Sequence, residues 1–250
     1  MTLAPDTVKA CCAGMYSSAA ARFLLGDSFH PGGTALTSQL TDALRVGPGD
    51  TVVDVACGPG ASALQLARER GCEVIGTDLV VPAASPHPLV RFVRGDAEAL
   101  PLSDASVDGA LCECALCTFP DKPTAVGELA RVLRPRARVA IADVTAQPAK
   151  LPEELRGLEA WVACVGDARP LDEITELLRE AGFALEQTHS EDGALAELLD
   201  RLEGRLRVAR LVGGDGFEAD SARVLPLVGA ARAALLEGAL GYAVIVARRL

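Results

Sequence analysis

The sequence is poor in aromatic residues, in histidine and in basic charge, and it has no long apolar run. Aromatics make up 4% of its 250 residues, yet half of all residues are hydrophobic and 23% are charged. That balance fits a soluble globular α/β chain and excludes a disordered or fibrous one. Lysine and arginine total 24 against 34 acidic residues, a formal net charge of −10. No basic surface is on offer to a phosphate backbone or an anionic lipid, so neither nucleic acid nor a membrane is an expected partner. No apolar stretch reaches the roughly 18 residues that span a bilayer, and the opening MTLAPDTVKA has no cationic segment leading into an apolar one. A cytoplasmic location is expected.

What the chain does have is cysteine: Cys11, Cys12, Cys57, Cys72, Cys112, Cys114, Cys117 and Cys164, beside three histidines. A chain of this length buries a core without disulfide staples. In a reducing compartment clustered cysteines are fillers, metal ligands or reactive thiols before they are disulfides.

The middle of the chain alternates β-rich runs with helical spacing, the pattern of a doubly wound α/β sheet. Strands are expected at 51–56, 73–77, 90–94, 107–112, 138–144, 183–190 and 242–248, with crossover helices at 61–70, 124–133 and 171–181. Residues 1–50 read as a helical cap, interrupted by the loop GDSFHPGG at 26–33 that contains His30. The sheet core is expected over 51–190 and its last strand within 241–250. Between them 191–240 is a helical insertion, suited to a lid or to a contact in a homodimer.

The strongest local signal is the buried strand that runs into Asp54-Val55-Ala56-Cys57-Gly58-Pro59-Gly60 and then a helix. Glycine at 58 and 60 lets a ligand approach the backbone. The third glycine of a dinucleotide fingerprint is missing, and Asp54 at the strand end would repel a pyrophosphate but suits an ammonium group. Asp78 closes the second strand 18 residues after Gly60, where a carboxylate accepts from both ribose hydroxyls. Asp96, followed by Ala97 in the turn after the third strand, is placed to accept from the amine of an adenine. Ammonium, ribose and adenine without phosphate describe S-adenosylmethionine (SAM) as the cofactor.

On these residues the chain resembles class I SAM-dependent methyltransferases, from residue 50 to about 183, most closely along 95–144. The resemblance implies a seven-stranded Rossmann-like sheet, a SAM site at Asp54, Ala56, Gly58, Gly60, Asp78, Asp96 and Ala97, and methyl transfer. Three departures stand out. Ala56 occupies the family's usual first glycine. Arg136-Ala137 replaces a Gly-Gly pair, costing about 1 kcal/mol if either holds positive φ. Only 17 residues, with Pro82, Pro86 and Pro88 among them, separate Asp78 from Asp96, so the crossover helix there must be short or absent.

The methyl acceptor belongs beyond the fourth strand, which here ends in Cys112-Glu113-Cys114-Ala115-Leu116-Cys117. No Asn-Pro-Pro signature and no His–Asp pair is evident. A cysteine past that strand, the Asp-Lys that follows, the Arg-Val-Leu-Arg turn and a second cysteine at 164 are similar to arsenite methyltransferases. That resemblance implies trivalent arsenic bound by thiolates at Cys114 and Cys164, with Cys112, Cys11 or Cys12 assisting. Soft thiolates prefer soft acceptors, and a lone pair on arsenic needs no general base. Zinc at the Cys-x-Cys-x-x-Cys run is less favoured, because no second ligand pair at standard spacing follows. Cys57 and Cys72 read as fillers; Tyr16, Trp161 and His30 are candidates to line the site. A small organic acceptor, or a non-catalytic thiol sensor of metalloids, remain open alternatives.

Overall fold

The computed structural model describes residues 4–26, 28–156, 164–212 and 215–250. The seven strands are β1 (Thr51–Val55), β2 (Glu73–Asp78), β3 (Val90–Arg94), β4 (Val107–Glu113), β5 (Leu133–Ala146), β6 (Phe183–Ser190) and β7 (Leu240–Arg249). They form one sheet in the order β3-β2-β1-β4-β5-β7-β6. Neighbours from β3 to β5 pair in parallel, while β7 runs antiparallel to both β5 and β6. This is the expected Rossmann-like α/β sheet.

The helices are α1 (Pro5–Tyr16), α2 (Ala19–Leu25), α3 (Gly33–Leu44), α4 (Ala61–Arg70), α5 (Lys122–Val132), α6 (Leu171–Glu180), α7 (Asp192–Val212) and α8 (Asp215–Leu236). Side chains alternate along a strand, so the sheet has two cores. Val52, Leu111, Ala140 and Val244 face α3, α4, α7 and α8. Val53, Cys112, Ile141 and Ile245 face α5 and α6. Each fully buried Leu or Ile contributes about 1.5–3 kcal/mol, which is why these central strands read as almost unbroken apolar runs. Asp54 and Asp143 break the runs, and both are buried.

No helix forms between β2 and β3; the three prolines of that segment remove N–H donors and fix φ. β5 starts earlier than its apolar pattern, because Leu133 pairs with Val107 across a register shift. Arg136, in the Gly-Gly position, has φ 71°. Helix α5 starts where Asp121 accepts from the Thr124 N–H at 3.0 Å, a cap worth about 1 kcal/mol. Among the described residues no helix is long and apolar enough to cross a membrane.

Candidate active site

Strand order reverses between β1 and β4, and ligands of such sheets sit outside the C-terminal strand ends at that reversal. A cavity of about 480 Å³ lies there. Its floor is the turn after β1, where Ala56, Gly58 and Gly60 have φ of 57°, 51° and 85°. Gly60 is required on two counts, since the left-handed conformation disfavours a Cβ and a Cβ there would collide with the Phe92 ring. Ala56 holds the same conformation at a cost of about 1 kcal/mol. The turn is tied to β2 through Asp78, whose Oδ2 accepts from the Gly58 N–H at 2.9 Å and whose Oδ1 accepts from the Val80 N–H at 3.1 Å.

Asp54 is buried under this turn. It accepts from the Ala63 N–H, but its Oδ2 has no hydrogen-bond partner. Burial, and after it the charges of Glu113 and Asp78, pushes its carboxyl well above the usual range. An orphaned buried oxygen on a cavity wall, beside further carboxylates, fits a cationic ligand group. Asp96 and Ala97 line the same cavity. Asp96 Oδ1 accepts from the Glu98 N–H at 3.0 Å, and its Oδ2 pairs with Lys9 Nζ at 2.7 Å. Lys9 also reaches Glu98 at 2.5 Å, which straps α1 across this end. Glu113 on the cavity wall was not among the sequence candidates; an acid closing the fourth strand, like those closing β1 and β2, was the available signal.

The other end is made of sulfur. Cys114, Cys117 and Cys164 hydrogen-bond to one another. Tyr16 on α1 places its hydroxyl 3.1 Å from Cys164 Sγ. Hydrogen bonds from Cys114, Cys117 and Tyr16, with the charge of Lys122, hold Cys164 well below the usual thiol range in spite of burial. Its Sγ also donates to the Cys114 carbonyl oxygen at 3.5 Å, a bond that works the other way and keeps the proton on Cys164. Burial pushes Cys117 up, as do its bonds to the other two thiols. Cys114 rises as well: the bond to Cys117 works downward, but donation to Cys164 and burial outweigh it. The cluster is thus three thiols and a phenol, within which Cys164 is the thiol most inclined to give up its proton.

Buried Lys122 donates to the Cys117 and Phe119 carbonyls at 3.2 and 3.0 Å and pairs with Asp167 at 2.5 Å. Asp143 accepts from the Cys117 N–H at 2.9 Å, and burial raises its carboxyl to about 7. Cys114 and Cys164 have φ of 52° and 66°. Two non-glycine residues in this strained region within one cluster mark a place where geometry is held against local preference.

Cys12 also lines the cavity and is pushed up to about 12 by burial, then by Cys164 and Cys11. Cys11, half-buried, is not part of the cavity wall. Cys112 is fully buried on the opposite face of the sheet, among Val53, Leu116 and Ile141, so the structure does not bring it to the cluster; Cys117 stands there instead. Cys57 lies under the turn and Cys72 in the core. Trp161 is outside the described residues. His30 lines the cavity as expected.

Residues 53–141 match the family described as methyltransferase domain. The arsenite methyltransferase of Halobacterium salinarum is 33% identical over 148 residues, 54% of this chain and 38% of that protein. The O-methyltransferase resE of Aspergillus sclerotiorum is 33% identical over 159 residues, 59% of this chain and 60% of that one. The chain spans less than two thirds of the length of these curated relatives. Among solved structures, geranyl diphosphate C-methyltransferase from Streptomyces coelicolor A3(2) superposes with a TM-score of 0.74 at 18% identity, covering 99% of this chain and 100% of that one; at that identity the likeness speaks for the fold. The glycine turn, the acids at the strand ends and the matched segment coincide in one cleft, and the chain carries a methyltransferase domain of the class I SAM-dependent type.

Proposed function

We propose that this domain holds SAM along the acid-lined cavity and transfers its methyl group to trivalent arsenic bound by Cys114, Cys117 and Cys164. The observation that carries the reading is the convergence of those three thiols, one of them acidified by the others, beside the Cys114 wall of the cavity. The arsenite methyltransferase among the relatives supports it.

Asp54, with its orphaned oxygen, would hold the ammonium of SAM, Asp78 the ribose hydroxyls, and Asp96 with Ala97 the adenine. Arsenite would enter by exchange: each As–S bond forms as one hydroxide leaves as water. Each thiol supplies its own proton to it, and solvent supplies one where Cys164 is already ionised. Among the described residues no three such side chains are set out as a ready metal site, so the thiols give up their mutual hydrogen bonds for bonds to arsenic. Cys12 is a spare thiol on the cavity wall, positioned by α1. Held there, SAM would supply an electrophilic methyl to the arsenic lone pair, with the C–S electron pair staying on the departing sulfur and the positive charge passing to arsenic. Alignment of acceptor and methyl is the protein's main contribution.

A small organic acceptor is the second reading, favoured by relatives such as the fungal O-methyltransferase. The test incubates the chain with SAM, arsenite and a thiol reductant and measures S-adenosylhomocysteine (SAH) together with methylated arsenic. Product that disappears in both Cys114→Ser and Cys164→Ser is expected. Turnover of an organic acceptor that survives both changes would sink the arsenic reading, and stoichiometric arsenite binding without turnover would point to a sensor.

A further inference from the structure

Glu113 is a buried carboxylate, its side chain 3% exposed, that the proposed roles leave without a task. It ends β4 on the same face as Asp54: Asp54 pairs with Leu111, and Glu113 lies two residues beyond. Both line the cavity, and the charge of Glu113 is among the causes that raise the Asp54 carboxyl. Its protein contacts are weak for a buried anion. Thr37 Oγ1 donates to its two oxygens at 3.0 and 3.3 Å. Among the described residues the basic group near it is His30, with Nδ1 at 3.5 Å.

That imidazole has other partners: its Nδ1 lies 3.0 Å from the Pro31 carbonyl, closer than to Glu113, and its Nε2 faces the hydroxyls of Thr37 and Ser62 at 3.3 and 3.5 Å. Lys9 and Arg22 also line the cavity, and Lys9 is taken by Asp96 and Glu98; among the described residues no lysine or arginine pairs with Asp54 or Glu113, a costly arrangement unless a ligand brings positive charge. Glu113 is also covalently next to Cys114, the point at which the cavity meets the thiol cluster.

Resting on the SAM reading above, we infer that Glu113 is a specificity-determining residue that faces the sulfonium end of the cofactor and makes the site prefer SAM to SAH. SAM carries two cationic centres, and the cavity offers two buried acids that pair with no lysine or arginine among the described residues. The ammonium persists in SAH, so Asp54 treats substrate and product alike. The sulfonium charge is lost from the cofactor on transfer, so a carboxylate beside it loses its attraction for the product and favours exchange. One unit charge removed from a partly buried carboxylate changes affinity on the order of tenfold.

The test is calorimetric, on the full chain without arsenic, with SAM, SAH and sinefungin, which carries an amine in place of the methyl sulfonium. The wild type is expected to bind SAM and sinefungin on the order of tenfold more tightly than SAH. Glu113→Gln should erase that preference with SAH affinity nearly unchanged, whereas Asp54→Asn should weaken all three ligands alike. If Glu113→Gln does not fold, Thr37→Val, which removes the hydroxyl that holds the carboxylate, should reduce the same preference. A wild type that binds SAH at least as tightly as SAM overturns the inference. So does a Glu113→Gln that weakens SAM and SAH equally, or a folded variant that leaves the ranking as it was. A wild type that binds none of the three would remove the SAM site itself, a different failure from the loss of Glu113's role.

Discussion

The two ends of the cavity are built in different ways. The carboxylate end takes Asp54, Asp78, Asp96 and Glu113 from the ends of four strands or the turns after them, in chain order, so the topology of the sheet alone sets them side by side. The thiol end gathers Tyr16 and Cys12 from α1, Cys114 and Cys117 from the turn after β4 and Cys164 from beyond β5, and tertiary packing has to bring them together. A site inherited from sheet topology can serve many acceptors; a site assembled from distant segments is where the acceptor is chosen.

If that division holds, the two ends can be broken separately. Cys164→Ser removes the most acidic thiol of the cluster and should lower arsenic methylation roughly a hundredfold or more, while SAM affinity measured by calorimetry stays within about twofold. A comparable loss of SAM binding would show that the ends are one unit. Asp78→Ala is the reciprocal change. It removes the acceptor proposed for the two ribose hydroxyls and unpins the Gly58 turn, so SAM affinity should fall about ten- to a hundredfold, with arsenite binding to the protein retained. Cys117→Ser should weaken arsenite binding about tenfold, and Cys112→Ser should leave it alone while lowering stability by about 1–2 kcal/mol; denaturant melts and arsenite titrations on both variants compare the faces of the sheet directly.

This last pair shows what the sequence could and could not reveal. Alternation along a strand puts residues two apart on the same side, so Cys112 and Cys114 read as neighbours. β4 ends at Glu113, however, and Cys114 adopts φ 52°. The short 3-10 turn Leu116–Thr118 then redirects the chain, and Cys117 joins the core on the face opposite Cys112. A positive φ at a non-glycine residue leaves no mark in a sequence, because it is imposed by packing. The acids of the other end were legible for the opposite reason: a polar residue that closes an apolar strand has its position fixed by the strand itself. The same logic explains the sheet, whose seven strands fall where the apolar runs predict, whereas the antiparallel direction of β7 depends on the α7–α8 insertion and has no local signal.

The Cys164 thiol gives a pH-dependent way to sharpen the comparison. An ordinary thiol, near 9, absorbs as thiolate only above that pH. With its value lowered, Cys164 should contribute one equivalent of ultraviolet thiolate absorbance at neutral pH, lost as the solution is acidified and absent from Cys164→Ser. Cys12, pushed up to about 12, should contribute none until strongly alkaline pH. Absorbance that appears only above the ordinary range would mean that the cluster holds three thiols and that arsenite must displace a proton from each.

The smallest effect expected lies under the cofactor turn. Ala56 holds φ 57° where glycine would be unstrained, so Ala56→Gly relieves the left-handed strain but gives the unfolded chain more freedom to lose. Relief of about 1 kcal/mol against an entropic cost of about 0.4–1 kcal/mol leaves a net gain of about 0–0.6 kcal/mol, visible as a shift in the denaturant midpoint with unchanged slope. The thiol end should not notice, and arsenite affinity should stay as it is. A stability loss would instead assign the alanine methyl a packing role against the Val93 and Ala97 cluster beside it, and would make the departure from glycine at this position a gain in packing that outweighs the backbone strain.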